Sequence, residues 1–419
     1  MFTLQKLPSG LPVLTAPSDG TESVTVLVFA GAGSRYETND ERGISHFLEH
    51  MFFKGGKKYK TTQEVSAAID GVGGDFNAFT GKEYAGYYVK VAAEEIELAC
   101  DVLSDMLLHA TFPQDEIEKE RGVIMEEERM YQDTPMYRAG WDFEELLYGD
   151  CPLGWDTIGT EKVIRSVMTK DFQKHKGELY TPDNLVLTFA GKVTDTQAMT
   201  LAKKYFAPIE GKKRKKFLPF KAFGAKKVYL RTKNTEQAHL VLGYPGLSAV
   251  DADHFAIKIL SVILGGNMSS RMFLNIREAK GLCYYIATEL DNYLDGGSLS
   301  TRAGVDQSRL HEAISAIRHE YEVCAANGVT DEEVRRAKDY LKGKITLGLE
   351  DSEERAHFYG KQYLLYPKTR TIEEYFAEIE KVTKVQVNDL AKNILKTEEL
   401  RLVVIGKEDR EDNLLFLLQ

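Results

Sequence analysis

Cysteine is scarce and scattered. The chain has four, Cys100, Cys151, Cys283 and Cys324, among 419 residues, with no C-x-x-C pair. That pattern excludes a disulfide framework and a thiolate metal site, and it suits free thiols in a reducing compartment. Long apolar runs are also missing. None approaches the roughly 18 residues of a membrane span, and the opening Met1-Phe2-Thr3-Leu4-Gln5-Lys6-Leu7 has no signal-peptide core. The expectation is a cytoplasmic protein, complete at its N-terminus and without a membrane partner. Positive charge is in deficit, with 54 Lys and Arg against 64 Asp and Glu and a net charge of −10. That balance argues against a nucleic-acid partner. It suits either basic substrates or simple solubility.

What is present is an ordinary globular composition, 43% hydrophobic and 28% charged. The length exceeds one ordinary domain and implies two of roughly 200 residues. The chemistry gathers in one stretch, Gly43-Ile44-Ser45-His46-Phe47-Leu48-Glu49-His50-Met51-Phe52-Phe53. On a helix, at about 100° per residue, Ile44, Phe47, Leu48, Met51 and Phe52 fall on one side, and His46, Glu49 and His50 on the other. Imidazoles at i and i+4 stack on one face, so both can reach one metal ion with a carboxylate between them. The pattern is H-x-x-E-H, the zincin motif reversed. Taken alone it has two readings, a zinc helix or an amphipathic core helix with incidental histidines, because five-residue patterns recur by chance.

A catalytic zinc takes three protein ligands and keeps a position for water. A third ligand must therefore come from another element. The downstream acidic helix, carrying Glu116, Glu118, Glu120, Glu126, Glu127 and Glu128, is the natural donor. Between the two lies Gly71-Val72-Gly73-Gly74-Asp75-Phe76-Asn77-Ala78, which opens a strand. An edge strand there could accept an extended peptide by β-augmentation, though a simple bulge is the plainer reading. Lys212-Lys213-Arg214-Lys215-Lys216 falls where a linker should and reads as solvated. Beyond it the chain repeats itself. Strand His239–Gly243, a helix over 309–326 and Arg401-Leu402-Val403-Val404-Ile405-Gly406-Lys407 echo elements of the first half. In that register Ala337 stands opposite Glu120, Lys344 opposite Glu127 and Arg355 opposite Arg138. The second half has no His-x-x-Glu-His. Only one half keeps a polar cluster, which a purely structural helix pair would not require.

With Glu120-Arg121-Gly122-Val123-Ile124-Met125-Glu126-Glu127 downstream of it, His46-Phe47-Leu48-Glu49-His50 resembles the inverted-zincin signature of the pitrilysin family. The closest likeness is to its short branch, the mitochondrial processing peptidases and bacterial processing proteases, and it covers essentially the whole chain. The resemblance implies an α+β fold of two homologous domains, each a mostly antiparallel sheet packed with helices, together half of a clamshell. The boundaries drawn are 1–211 for the zinc domain, 212–222 for a basic linker and 223–419 for the second domain. It implies one zinc per chain on His46, His50 and Glu127, with Glu49 activating water and Glu120 supporting from behind. Asn77 and Ala78 match the family's substrate-pairing edge strand, which reverses the plainer reading of that stretch.

Gly265-Gly266-Asn267-Met268-Ser269-Ser270-Arg271, with Arg277-Glu278-Ala279-Lys280-Gly281-Leu282-Cys283-Tyr284, matches a second family signature. By resemblance Arg277 and Tyr284, with Tyr285 as the alternative, bind substrate and assist catalysis. In short members this pair comes from a partner subunit, which implies a homodimer with composite sites. The function implied is a zinc endopeptidase acting on peptides, basic ones by the charge argument, in an enclosed chamber. The contrasting reading is a non-catalytic assembly subunit, whose sign would be eroded zinc residues.

Overall fold

The structure, a computed structural model, describes residues 1–408 and 410–419. It is α+β, with two separate sheets. The first contains β1 (Thr3–Lys6), β2 (Pro12–Pro17), β3 (Ser23–Ala30), β4 (Asp75–Thr80), β5 (Ala85–Ala92) and β6 (Leu185–Gly191). Their order is β1-β2-β6-β3-β5-β4, antiparallel except for β2 with β6. The second contains β7 (Val228–Thr232), β8 (Gln237–Pro245), β9 (Cys283–Asn292), β10 (Gly297–Asp306) and β11 (Arg401–Gly406). Their order is β7-β11-β8-β10-β9, with β7 and β11 parallel. Apart from β1 the two orders superimpose strand for strand, so the sequence repeat is a repeat of topology.

The compact units do not follow chain order. One comprises residues 1–128, 156–218 and 344–373, and the other 129–155, 219–343 and 374–419. The boundary at 218 and 219 falls in the expected linker, but each half also gives up a helical segment to the other unit. Helix Ser352–Leu365 covers the first sheet, with Ala356 and Tyr359 joining Leu14, Leu27, Phe29 and Val186 in one core cluster. Ser352 Oγ lies 2.8 Å from Thr25 Oγ1. Gly360 is required there, because a Cβ would lie 2.6 Å from the Phe29 ring. Helix Pro135–Tyr148 covers the second sheet, with Phe143, Leu146 and Leu147 against Val241, Val403 and Ile405. Its Asp142, fully buried, accepts from Arg138 Nε at 2.8 Å and from Arg231 Nε and Nη2 at 2.8 and 2.9 Å.

The basic stretch is not wholly solvated. Residues 212–217 alternate between exposed and partly buried. Lys213 Nζ sits 4.5 Å from the Tyr36 ring centroid, and Lys215 pairs with Glu41 at 2.5 Å. The four aliphatic carbons of lysine pack while the ammonium finds a partner, so composition alone misjudges such a run.

Candidate metal centre

Helix Ile44–Phe52 buries Ile44, Phe47, Leu48, Met51 and Phe52, the side the apolar spacing marks. Phe47 packs edge-on to Phe172 at 5.0 Å, and Phe52 to Tyr87 at 5.0 Å. The helix starts at Gly43, whose φ of 96° belongs to the left-handed region and whose added Cβ would meet Ile158 O at 2.1 Å. The Glu37 carboxylate accepts from Gly43 N–H and Ser45 N–H, both at 2.8 Å, so two otherwise orphaned amides are satisfied. Burial pushes the Glu37 pKa up to about 7 against the pull of those amides. Ser45 Oγ lies 3.1 Å from Nε2 of the buried His175, which ties the helix to Thr169–Leu179.

On the opposite face the two imidazoles meet edge to face, with centroids 4.7 Å apart. Their Nε2 atoms are 3.3 Å apart. The Glu127 carboxylate, from helix Gln114–Asp133, lies 3.7 Å from His46 Nε2 and 3.6 Å from His50 Nε2. Tetrahedral zinc with bonds of about 2.05 Å holds its ligand atoms about 3.3 Å apart. The observed triangle is that of three tetrahedral corners, slightly expanded. Among the described residues, this is the one group of three or more such side chains with converging ligand atoms.

The surroundings fit a cation. Glu120, two turns before Glu127 and buried, accepts from His50 Nδ1 at 2.9 Å. Its other oxygen pairs with Lys54 Nζ at 2.6 Å. A proton on Nδ1 leaves the Nε2 lone pair of His50 aimed at the centre. Burial lowers the His46 pKa to about 3, so that ring is neutral. Burial also opposes charge on His50, but the bond to Glu120 and the charges of Glu49, Glu120 and Glu127 outweigh it and raise the pKa. Burial raises Glu127, and Glu120 adds to the rise while His50 opposes it. Burial likewise raises Glu49, against Thr80 and His50. One Glu49 oxygen and His46 Nδ1 are buried with no hydrogen-bond partner. Carboxylates converging on two imidazole lone pairs form a donor set that a divalent cation would satisfy.

The edge strand comes to the same place. β4 pairs with β5 alone, and Asn77 and Ala78 face Tyr88 and Tyr87 across that ladder. Asn77 Oδ1 accepts from Ala78 N–H at 2.9 Å. The Phe53 and Phe76 rings, 5.7 Å apart, join the end of the histidine helix to β4. His46, Glu49, His50, Asn77, Ala78, Glu120 and Glu127 thus all belong to the first unit.

Arg277 and Tyr284 belong to the second. Arg277 lies in a π-helical turn, Phe273–Glu278, with its guanidinium 4.6 Å from the Phe273 ring centroid. It donates to the main-chain oxygen of Tyr284 at 2.9 Å, so the two are paired through backbone, and Tyr284 is 78% exposed. Tyr285 spends its hydroxyl on His239 Nδ1 at 3.0 Å, which leaves Tyr284 as the freer phenol. Sequence reasoning missed Lys54 and Glu37. Lys54 stands four residues after His50, but only the fold brings its partner Glu120 to it; Glu37 sits in a loop and carries no periodic signal.

Residues 13–147 match insulinase (peptidase family M16), and residues 166–341 match the peptidase M16 inactive domain. The uncharacterized zinc protease YmxG of Bacillus subtilis is 36% identical over 398 residues, covering 95% of this chain and 96% of its own. An uncharacterized zinc protease of Mycobacterium leprae is also 36% identical, over 93% of this chain and 88% of its own. Among solved structures, a protease from Helicobacter pylori aligns with a TM-score of 0.89 at 22% identity, over 97% of this chain and 99% of its own. A peptidase M16 inactive domain from Pseudomonas fluorescens aligns with a TM-score of 0.90 at 18% identity, over 98% of both.

Proposed function

Because the chain belongs to peptidase family M16, we propose that it is a zinc endopeptidase that cuts peptides or short unfolded segments in an enclosed chamber. The observation that carries the reading is the triangle of His46 Nε2, His50 Nε2 and Glu127 Oε2 at 3.3–3.7 Å, with Glu120 behind His50. One zinc per chain would sit on those three side chains. When bound, it supplies Lewis acidity toward the scissile carbonyl and toward water. Glu49 takes the proton of the attacking water and returns it to the leaving amine. Its buried carboxyl, with raised proton affinity, suits that exchange. Glu120 keeps His50 in the ligating tautomer. The free edge of β4 at Asn77 and Ala78 pairs with the substrate backbone.

Arg277 and Tyr284 grip the peptide or stabilise the oxyanion, supplied in trans across a homodimer. The net charge of −10 supports a preference for basic peptides. No helix among the described residues is long and apolar enough to cross a membrane, and the four cysteines are unpaired, which supports a cytoplasmic setting. A non-catalytic assembly role would tolerate loss of the zinc residues, and none is lost.

Elemental analysis, with peptide hydrolysis measured before and after chelation and zinc return, tests this. Stoichiometric zinc and chelation-reversible hydrolysis are expected. A folded, metal-free chain that hydrolyses nothing after zinc is added would overturn it.

A further inference from the structure

We infer that a cavity in the first unit, away from the histidines, binds a small amphiphilic carboxylate, with its chain among core side chains and its head group on Lys176. The cavity has a volume of about 350 Å³. Its walls include Val28, Leu107, Leu187, Phe206 and Ile209, all buried core residues. The volume lies at the small end of the range of ligand pockets, about 300–1,000 Å³. Pockets of this size and lining usually hold a mainly apolar ligand oriented by a few polar groups.

Lys176 is the cation of that wall. Its Nζ donates to Leu108 O at 3.1 Å and stands 6.0 Å from the Phe112 ring centroid. Among the described residues no carboxylate lies within ion-pair distance of it, unlike Lys54, Lys90 or Lys215. Of the other charged or polar lining groups, His109, Gln173 and Glu210 are exposed to solvent, and the buried Tyr180 and Thr181 spend their hydroxyls on Tyr87 and Asp183. Burial lowers the Lys176 pKa to about 8, with no charge offsetting it. A half-buried ammonium keeps its charge more readily when an anion neutralises it, and a carboxylate does so while using donors that Leu108 O leaves free. An apolar chain would meanwhile cover wall atoms now facing the cavity. Neither a neutral nor a cationic amphiphile offers both. The inference is independent of the peptidase reading.

The test is calorimetric titration of the full chain at pH 7 with decanoate, decanol and decylamine, each as a monomer in solution. Saturable binding of one decanoate per chain is expected, at least tenfold tighter than decanol and tighter still than decylamine. Lys176→Met should reduce decanoate affinity to the level of decanol, and Lys176→Arg should retain most of it. No saturable decanoate binding, equal affinity for decanoate and decanol, or wild-type decanoate affinity in Lys176→Met would each overturn the inference. The last result would mean that the carboxylate binds elsewhere, the metal centre included. Hydrogen exchange on the unsubstituted chain gives a second measurement that does not depend on a variant folding. Decanoate should protect residues 107–112 and 173–180, and protection confined to other segments would refute the site.

Discussion

Replacing Glu120 by glutamine keeps the side-chain shape and removes the charge. In the native arrangement one carboxylate oxygen accepts from His50 Nδ1 at 2.9 Å and the other pairs with Lys54 at 2.6 Å. The carbamoyl group can accept from Nδ1 as before. It can also turn and donate to Nδ1, which moves the imidazole proton to Nε2 and blocks the metal. A hydrogen bond with a charged partner is worth about 1.5–3 kcal/mol. Partners behind a ligating histidine typically change metal affinity 10–100-fold, or about 1.4–2.8 kcal/mol. The two routes agree, so Glu120→Gln should raise the zinc Kd by one to two powers of ten. Competition with a chromogenic chelator measures this directly. At saturating zinc most of the peptidase activity should return, because no ligand has been removed. Glu126→Gln, an exposed neighbour on the same helix, is the control and should leave the Kd unchanged. A change of less than twofold in Glu120→Gln would refute the orienting role. A complete loss of zinc, equal to that in Glu127→Gln, would refute it in the other direction by making Glu120 a ligand.

Three further outcomes are expected. Glu49→Gln should abolish peptide hydrolysis while binding zinc with near-native affinity; loss of zinc alongside activity would contradict the proton-transfer role. Mixing inactive Arg277→Ala and Glu49→Gln subunits should restore activity once subunits exchange, and a mixture that exchanges yet stays inactive would exclude supply in trans. His175 is buried and its pKa is depressed to about 3. The unfolded chain takes up that proton below about pH 6.5 while the folded chain does not. His175 therefore contributes stability that is full above pH 6.5 and lost progressively as pH falls toward 3, up to about 4–5 kcal/mol. His175→Gln should flatten the urea midpoint against pH across that window, and an unchanged slope would count against the burial argument.

Legibility followed the range of the interaction. The histidine helix could be read because its five apolar residues and three polar ones obey one local period. Glu127 could not be chosen from periodicity, since its contact with His46 crosses eighty-one positions of chain; the unmatched repeat and the family signature were needed. Lys54 had the right spacing from His50, but its partner lies on another helix, so the spacing had no visible meaning. For helices Pro135–Tyr148 and Ser352–Leu365 nothing in the sequence says which sheet each would cover. An amphipathic pattern encodes that a face is buried and not what buries it. The docking of Lys213 and Lys215 was hidden for a similar reason, since a basic run reads as solvated until an acceptor appears.

The exchanged helices also set an order of events on the ribosome. The last strand of the first sheet ends at Gly191, and the helix that covers it ends at Leu365, 365 − 191 = 174 residues later. At about 5–20 residues per second, Leu14, Phe29 and Val186 wait roughly 10–35 s for Ala356 and Tyr359. Helix Pro135–Tyr148 waits longer, because β11 is made almost last. The first half of the duplication is therefore unfinished when its own residues have been made, whereas the second finds its covering helix already on the chain. A nascent chain of this kind presents an apolar sheet face during synthesis, and truncation before Ser352 would leave that face permanently uncovered.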